Sequence, residues 1–210
     1  MARKLPSHLV VLGHPSPNSF NAALAAHYIE TIKLVHQDAV LRDLYAVGFD
    51  PLLKEDERSS DGAEGASADV QQELAFLAQC DVLTFVYPLW FGMPPAIIKG
   101  YIDRVLGAGF RVDDLGQGPA RFLRGKSLAV ITTSGSRIKW LEEHGMWVSF
   151  RQSFDEYLKT VFGFARCDHY HADSIGDDLG SADAKRILFD VKEFARSVCA
   201  NAAAQSNVRA

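Results

Sequence analysis

The sequence lacks the features that mark membrane-spanning, secreted and nucleic-acid-binding proteins. No run approaches the roughly twenty consecutive apolar residues that a membrane-spanning helix needs. The first residues, M-A-R-K-L-P-S-H, contain no apolar signal-peptide core. Lys and Arg are scattered, and a net charge of -4 over 210 residues offers no extended cationic surface for nucleic acid. We therefore expect a cytoplasmic protein with neither a membrane span nor a nucleic-acid partner.

Cysteine is scarce as well. Cys80, Cys167 and Cys199 are far apart and form no C-x-x-C pair. Disulfide and zinc frameworks need paired or closely spaced cysteines, so this pattern indicates reduced thiols in the core.

The histidines offer one arrangement that a metal would accept. His169 and His171 alternate along a predicted strand and share one face, with His144, Asp168 and Asp173 nearby in the sequence. A third ligand at a diagnostic spacing is missing, so solvated or core-edge histidines are favoured over a zinc site. We predict no metal.

A G-x-G-x-x-G fingerprint is absent after the first predicted strand, where the loop reads G-H-P-S-P-N-S. This argues against the common dinucleotide-binding fold. The hydrophobic pattern predicts strands at 8–12, 39–45, 81–87, 127–132 and 165–171, and helices at 20–35, 71–78, 95–106, 147–161 and 181–199. Because strands that alternate with helices pair in parallel, we predict one α/β domain over 1–210, a doubly wound five-stranded parallel sheet with helices on both faces.

Two polar segments lie outside this pattern. The segment 54–69 almost lacks large apolar side chains, which predicts a solvated loop, with a mobile flap or a subunit contact as alternatives. The small polar residues at 201–210 predict a frayed tail after the last helix.

The most informative segment is 84–106, T-F-V-Y-P-L-W-F-G-M-P-P-A-I-I-K-G-Y-I-D-R-V-L. Its β-branched and aromatic start predicts a strand buried on both faces. Pro88 cannot donate to a sheet ladder and Gly92 permits positive φ, so the residues between them should leave the sheet at its carboxyl edge. Leu89, Trp90 and Phe91 are called the aromatic ledge below. Taken alone, a Trp-Phe pair is more often part of the core than of a binding site.

Two other loops are expected beside the ledge. In the flavodoxin-like strand order, the loops after strands one and three flank one crevice, and the loop after strand four lies next to them. The first loop offers Ser16, Asn18, Ser19 and a helix N-terminus to a phosphate, and His14 adds a ring donor. The turn T-T-S-G-S at 132–136 offers amides to a ring that gains negative charge. A stacking face, a polar edge and a phosphate anchor are what a flavin requires.

Three motifs together carry a family resemblance. The stretches H-P-S-P-N-S-F-N-A-A, P-L-W-F-G-M-P-P-A-I-I-K-G-Y-I-D-R-V and T-T-S-G-S resemble the NAD(P)H:quinone oxidoreductase family of flavodoxin-like flavoproteins over roughly residues 9–194. The resemblance implies FAD, with FMN as the alternative. It places the diphosphate and ribityl contacts at His14, Asn18, Phe20, Asn21 and Ala23. It places the flavin ring contacts at Pro88, Leu89, Trp90, Phe91, Thr132, Thr133, Ser134 and Gly135.

The same resemblance implies a ping-pong enzyme in a homodimer. NAD(P)H would pass a hydride to the flavin and leave, and a quinone or another flat acceptor would take its place. His144 resembles the family's catalytic histidine, whereas the position of its catalytic tyrosine falls near Ile138 or Trp140. The large side chains at 109–111 and 140–154 are consistent with a subunit interface.

Two other functions stay open at this point. An azo or nitro compound could accept the hydride in place of a quinone, because any flat acceptor that stacks would serve. The chain could also be a regulatory, flavin- or nicotinamide-sensing subunit of an ion-efflux system. An extra proline after Met93 predicts a reshaped substrate pocket in any of these cases.

Overall fold

The computed structural model describes residues 5–53, 65–108 and 123–209. Its strands are β1 Ser7–Leu12, β2 Asp38–Asp43, β3 Val82–Pro88, β4 Ser127–Thr133 and β5 Arg166–Ala172. The helices of the first half are α1 Phe20–Leu34, α2 Ala68–Gln79 and α3 Ala96–Tyr101, the last continued by a π-helical turn, Ile102–Leu106. Those of the second half are α4 Ile138–Glu143, α5 Met146–Arg151, a π-helical turn Gln152–Glu156, α6 Tyr157–Phe162 and α7 Ser181–Arg209.

The five strands form one parallel sheet in the order β2-β1-β3-β4-β5. The predicted flavodoxin-like α/β fold is therefore confirmed. Every residue of β3 and β4 is buried, which explains why neither strand alternates regularly between apolar and polar residues. β2 and β5 lie at the edges and are partly exposed.

The sheet separates two hydrophobic cores. On one face, Phe85 and Tyr87 pack against Phe154, and Phe85 also contacts Tyr101 of α3. On the other face, α1 and α7 cover the sheet, and Tyr28 of α1 is fully buried. Burial of such large side chains stabilises the fold by about 1.5–3 kcal/mol each relative to exposure. Among the residues described, no helix is long and apolar enough to cross a membrane.

Where the structure describes the segment 54–69, the chain leaves the predicted solvated loop before residue 69. Residues 54–64 lie outside the described chain, but Ala66 is buried and α2 already begins at Ala68. Asp69 pairs with Arg104 at 2.8 Å, and this guanidinium lowers the pKa of Asp69 to about 2. The sequence pattern missed this because small and acidic residues carry no apolar signal, even when they pack or pair.

The frayed tail predicted at 201–210 is wrong. α7 continues to Arg209, ten residues beyond its predicted end at 199. Ala202 is buried against Val82 and Ala129, and Ser127 donates a hydrogen bond of 2.7 Å to Gln205. Alanines contribute little to a hydropathy pattern, but they favour helix and allow close packing.

The other helix boundaries differ less. Ser19 caps α1 by accepting a hydrogen bond of 3.2 Å from the Ala22 amide. The single helix predicted at 147–161 is instead α5 and α6 with a π-helical turn between them. The short helix α4 before it was not predicted.

Candidate functional site

The loops after β1, β3 and β4 meet at the carboxyl edge of the sheet. The Gly13 amide donates to the Val86 carbonyl at 2.9 Å, which holds the first loop against β3. The Leu89 amide donates to the Thr133 carbonyl at 2.7 Å, which ties the aromatic ledge to β4. This is the point where the strand order reverses, the usual ligand position in an open α/β sheet.

The aromatic ledge ends in a two-residue turn. The amides of Trp90 and Met93 donate to each other's carbonyls at 3.0 and 3.1 Å. Phe91 and Gly92 between them have φ values of 52° and 77°, as in a type I′ turn. Positive φ strains a bulky residue by roughly 1–3 kcal/mol. The Phe91 ring is fully exposed and Trp90 is 41% exposed, so the core interpretation of this pair is wrong.

A cavity of about 450 Å³ opens beside the ledge. Its walls are the ledge turn, the turn after β4 and the helices that follow: Leu89, Phe91, Gly92, Ser134, Gly135, Ser136, Trp140, Leu141 and Met146. Among the residues described, the amides of Gly135 and Ser136 have no hydrogen-bond partner. Largely apolar walls with a few converging polar groups are typical of small-molecule sites of this size.

The N-terminus of α1 lies at the end of the first loop. The amides of Phe20 and Asn21 are in the first helical turn, where no intrahelical acceptor exists. His14 joins this loop to the ledge, because its ring centroid lies 6.0 Å from that of Trp90. Its Nδ1 accepts a hydrogen bond of 3.0 Å from the Ser16 amide. In the neutral ring Nε2 therefore carries the proton and is free to donate outward.

Several predicted contact residues use their polar groups within the protein. The Asn21 side-chain amide donates to the Thr133 hydroxyl at 2.9 Å, and both side chains are buried. The Ala23 amide donates to the Ser19 carbonyl at 3.1 Å. Pro88 is buried as the last residue of β3. The side chains of Asn21 and Pro88 and the Ala23 amide are therefore committed to the fold, whereas Asn18 is exposed and Phe20 half-buried at the start of α1.

His144 lies outside the cavity wall. It follows α4 as an exposed residue, and its Nδ1 is 2.8 Å from the Trp140 carbonyl. Its ring lies against the Trp140 ring with centroids 4.4 Å apart. His144 therefore reaches the cavity only through Trp140, which lines it.

A buried hydrogen-bonded chain lies behind the turn after β4, and sequence reasoning missed it. His169 Nδ1 is 2.6 Å from Asp155 Oδ2, and His169 Nε2 is 2.7 Å from Thr132 Oγ1. His171 Nδ1 is 2.8 Å from the same Thr132 oxygen, and His171 Nε2 is 3.1 Å from Ser134 Oγ. The chain therefore runs from a fully buried carboxylate to the wall of the cavity.

The pairing of these histidines differs from the one the sequence suggested. Asp168 binds Arg166 at 2.5 Å, and Asp173 accepts from the Ile138 amide, so neither carboxylate hydrogen-bonds to a histidine. Burial lowers the pKa of His169, and burial together with the neighbouring imidazole lowers the pKa of His171 to about 4. Within the described ranges, no group of three His, Cys, Asp or Glu side chains has an arrangement that would hold a metal.

Comparison with known proteins agrees with this fold. The model of a family with the flavodoxin-like fold matches residues 6–187. An uncharacterized NAD(P)H oxidoreductase of Haemophilus influenzae is 31% identical over 172 residues, which cover 81% of this chain and 84% of that protein. An FMN-dependent NADH:quinone oxidoreductase of Caldicellulosiruptor bescii is 25% identical over 198 residues, which cover 90% of this chain and 96% of that protein.

The solved structures give the same result for the backbone. A structure of the NAD(P)H:quinone oxidoreductase from Methanothermobacter marburgensis superposes with a TM-score of 0.79 at 21% identity. The superposition covers 92% of this chain and 96% of that one. At this identity the likeness shows a shared fold.

Proposed function

Because the chain belongs to the NAD(P)H:quinone oxidoreductase family of flavodoxin-like proteins, we propose that the cavity beside the aromatic ledge binds a flavin ring, where NAD(P)H and a quinone react in turn. One observation carries the proposal. The same cavity is lined by the exposed aromatic residue Phe91 and by Gly135 and Ser136, for whose amides the described part of the chain offers no acceptor.

The residues present fit a flavin ring on three counts. Phe91 exposes a whole ring in a backbone conformation that aromatic residues rarely adopt, which is a feature of ligand sites rather than of cores. The amides of the turn after β4 suit an edge that gains negative charge on reduction. The capped N-terminus of α1 suits a phosphate tail.

The bound flavin would supply the hydride chemistry, and the protein would supply position and electrostatics. Phe91 and Trp90 would form the stacking face and exclude water from it. Gly135 and Ser136 would stabilise negative charge through their amides. Since both substrates are flat and would react at one face of the flavin, they would occupy that face one after the other, which gives a ping-pong order.

The proposed site could accept either of two flavins, FMN or FAD. The first loop favoured FAD by its resemblance to FAD-binding proteins. The Caldicellulosiruptor bescii relative, which is similar over most of the chain, is FMN-dependent. We therefore propose FMN as the resident flavin and FAD as the alternative, to be distinguished by chromatography of the released cofactor.

We further propose that the protein is a homodimer. Trp140, Met146 and Val148 are large apolar residues on α4 and α5, and each is at least 44% exposed. The predicted contact at 109–111 lies outside the described residues. Light scattering after size exclusion tests this, and a monomer mass at micromolar concentration contradicts it.

Steady-state turnover tests the enzymatic function. The flavin-loaded protein should oxidise NAD(P)H with a short-chain quinone far faster than the same concentration of free flavin. Phe189→Ala is the matched control, since Phe189 is an exposed aromatic residue of α7 that does not line the cavity. A rate no faster than the free-flavin background would contradict the proposal and favour a sensing role.

A further inference from the structure

The buried chain Asp155–His169–Thr132–His171–Ser134 contains a carboxylate and two histidines to which the function described so far gives no role. It begins at a carboxylate with no solvent exposure and ends at Ser134, which lines the cavity. Arg151 is 2.6 Å from the same Asp155 oxygen that contacts His169. A carboxylate and two imidazoles in one line toward a ligand site are an unusual arrangement of buried residues, because buried polar groups need hydrogen-bond partners.

Counting protons along the chain fixes both tautomers. A carboxylate only accepts hydrogen bonds, so His169 must carry its proton on Nδ1 and accept at Nε2. Thr132 has one hydroxyl proton and donates it to His169 Nε2. The Thr132 oxygen then accepts from His171 Nδ1, which leaves His171 Nε2 as an acceptor facing Ser134.

The contact between His171 Nε2 and the Ser134 hydroxyl, the last one of this hydrogen-bonded chain, lacks a proton. The Ser134 hydroxyl has a single proton and two acceptors, the Ser136 carbonyl at 2.7 Å and His171 Nε2 at 3.1 Å. When the proton goes to the nearer carbonyl, lone pairs of Ser134 and His171 face each other. A proton added to His171 Nε2 would satisfy both, so the chain has a place for one more proton directly behind the cavity wall.

Some groups around His171 favour its neutral form, and others favour its cation. The charged or titratable groups facing it among the described residues are His169 on β5 and Asp173 directly after that strand, with Asp155 and Arg151 beyond His169. The Trp147 ring of α5 lies over His171 with centroids 4.8 Å apart, an arrangement that favours a cation. At neutral pH the ring is uncharged, and a negative charge in the cavity would shift it toward the cation.

Resting on the proposed function, we infer that His171 Nε2 is a proton-uptake site for the reaction, with Thr132, His169 and Asp155 as positioning residues. The net reaction consumes NAD(P)H, one quinone and one proton and gives NAD(P)⁺ and a hydroquinone. Hydride transfer from NAD(P)H leaves one negative charge in the cavity, and His171 takes one proton from solvent. That proton then passes through the Ser134 hydroxyl to the quinone as the quinone accepts the hydride.

Proton uptake on reduction tests this site directly. The flavin-loaded protein is reduced anaerobically with one equivalent of NAD(P)H in weak buffer, and an indicator dye reports the protons taken from solvent. Burial and the neighbouring imidazole hold the pKa of His171 at about 4, and a unit negative charge in the cavity would raise it by about two at an effective dielectric constant near 20. Uptake should therefore reach about half a proton per flavin at pH 6 and fall toward zero at pH 8.

Matched variants separate this role from a structural one. His171→Gln should abolish the proton uptake. Thr132→Val should reduce it, because the hydroxyl that fixes the tautomers of both histidines is lost. Thr132→Ser keeps the hydroxyl and should restore it. Thr84→Val is the control, since Thr84 is equally buried on β3 but hydrogen-bonds to Tyr28 on the other face of the sheet.

Nitrogen NMR of the histidine side chains gives a second readout that does not depend on turnover. Oxidised wild-type protein should show His169 and His171 as neutral rings with the proton on Nδ1, and His171 should become cationic on reduction. Bound flavin without proton uptake, or a His171 proton on Nε2 in the oxidised protein, would overturn the proton site alone. Absence of flavin binding would overturn the proposed function instead.

Discussion

Replacing Phe91 with asparagine should stabilise the protein and weaken flavin binding at the same time. Asn-Gly is the preferred sequence of a type I′ turn, whereas the present Phe91-Gly92 pair holds an aromatic residue at a φ of 52°. Relief of that strain should raise the free energy of unfolding by about 1 kcal/mol. The Phe91 ring is fully exposed, so no packing in the cofactor-free protein is lost in exchange.

The loss in affinity follows from the same exposed ring. An offset-stacked aromatic pair contributes about 1 kcal/mol beyond area burial. Covering one face of Phe91 adds roughly another 1 kcal/mol at about 25 cal/mol per Å². The dissociation constant of FMN should therefore rise roughly 30-fold in Phe91→Asn.

Urea denaturation of the cofactor-free protein and fluorescence titration with FMN measure the two effects. Phe189→Ala removes an equally large exposed ring away from the cavity and should leave the FMN affinity unchanged. Unchanged affinity in Phe91→Asn would refute the stacking role of the ledge. Lower stability in that variant would refute the claim that Phe91 is strained.

Three further predictions concern the framework around the site, each measured by denaturant unfolding. Gly100→Ala should cost about 1–3 kcal/mol, because the added Cβ would lie 2.4 Å from the Pro51 carbonyl oxygen, a backbone atom; an unchanged midpoint would contradict the close approach. Lys126→Met should cost about 2–3 kcal/mol, since the buried amine donates to three carbonyls at the end of α2, at 2.5 to 3.0 Å; a neutral effect would mean that water replaces it. Asp69→Asn should cost less than about 1 kcal/mol at neutral pH, because the carboxylate is 44% exposed and partly screened. Arg104 holds the pKa of Asp69 at about 2, so the contribution is complete above the unfolded pKa and is lost as pH falls through the folded one. The two proteins should therefore converge in stability between pH 4 and pH 2, and a difference that grows on acidification would contradict the pairing.

The strands and the ledge could be predicted because their signals are local. β3 is apolar at nearly every position, β4 contains the apolar run 128–131, and Pro88 and Gly92 mark where the chain must leave the sheet. These residues act through their own backbone and side-chain preferences. Strand order then followed from the alternation of strands and helices together with the family resemblance.

The parts that could not be predicted depend on partners distant in sequence. Ala202 reads as a polar tail until Val82 and Ala129 are placed beside it. Asp155 and His169 are separated by a whole helix and look like unrelated surface residues, although they form a buried pair. No pattern along the chain records such pairs, because they depend on which helix covers which strand.

The proposed site shows the same division between local and distant signals. The resemblance placed a catalytic role on His144, and that role stays a prediction, since the structure sets this residue behind Trp140. The histidines that reach the cavity wall are His169 and His171, whose alternation on a strand suggested only a weak metal site. Their contacts with Thr132 of β4 and Trp147 of α5 are tertiary contacts, which the local sequence pattern does not record.

The central claim is that the cavity between the ledge and the turn after β4 binds a flavin. Its most direct test is titration of purified protein with FMN and with FAD, followed by chromatography of the flavin that remains bound after gel filtration. The account predicts one flavin per chain, with FMN retained in preference to FAD and retained less well by Phe91→Asn. Protein that retains neither flavin would contradict it.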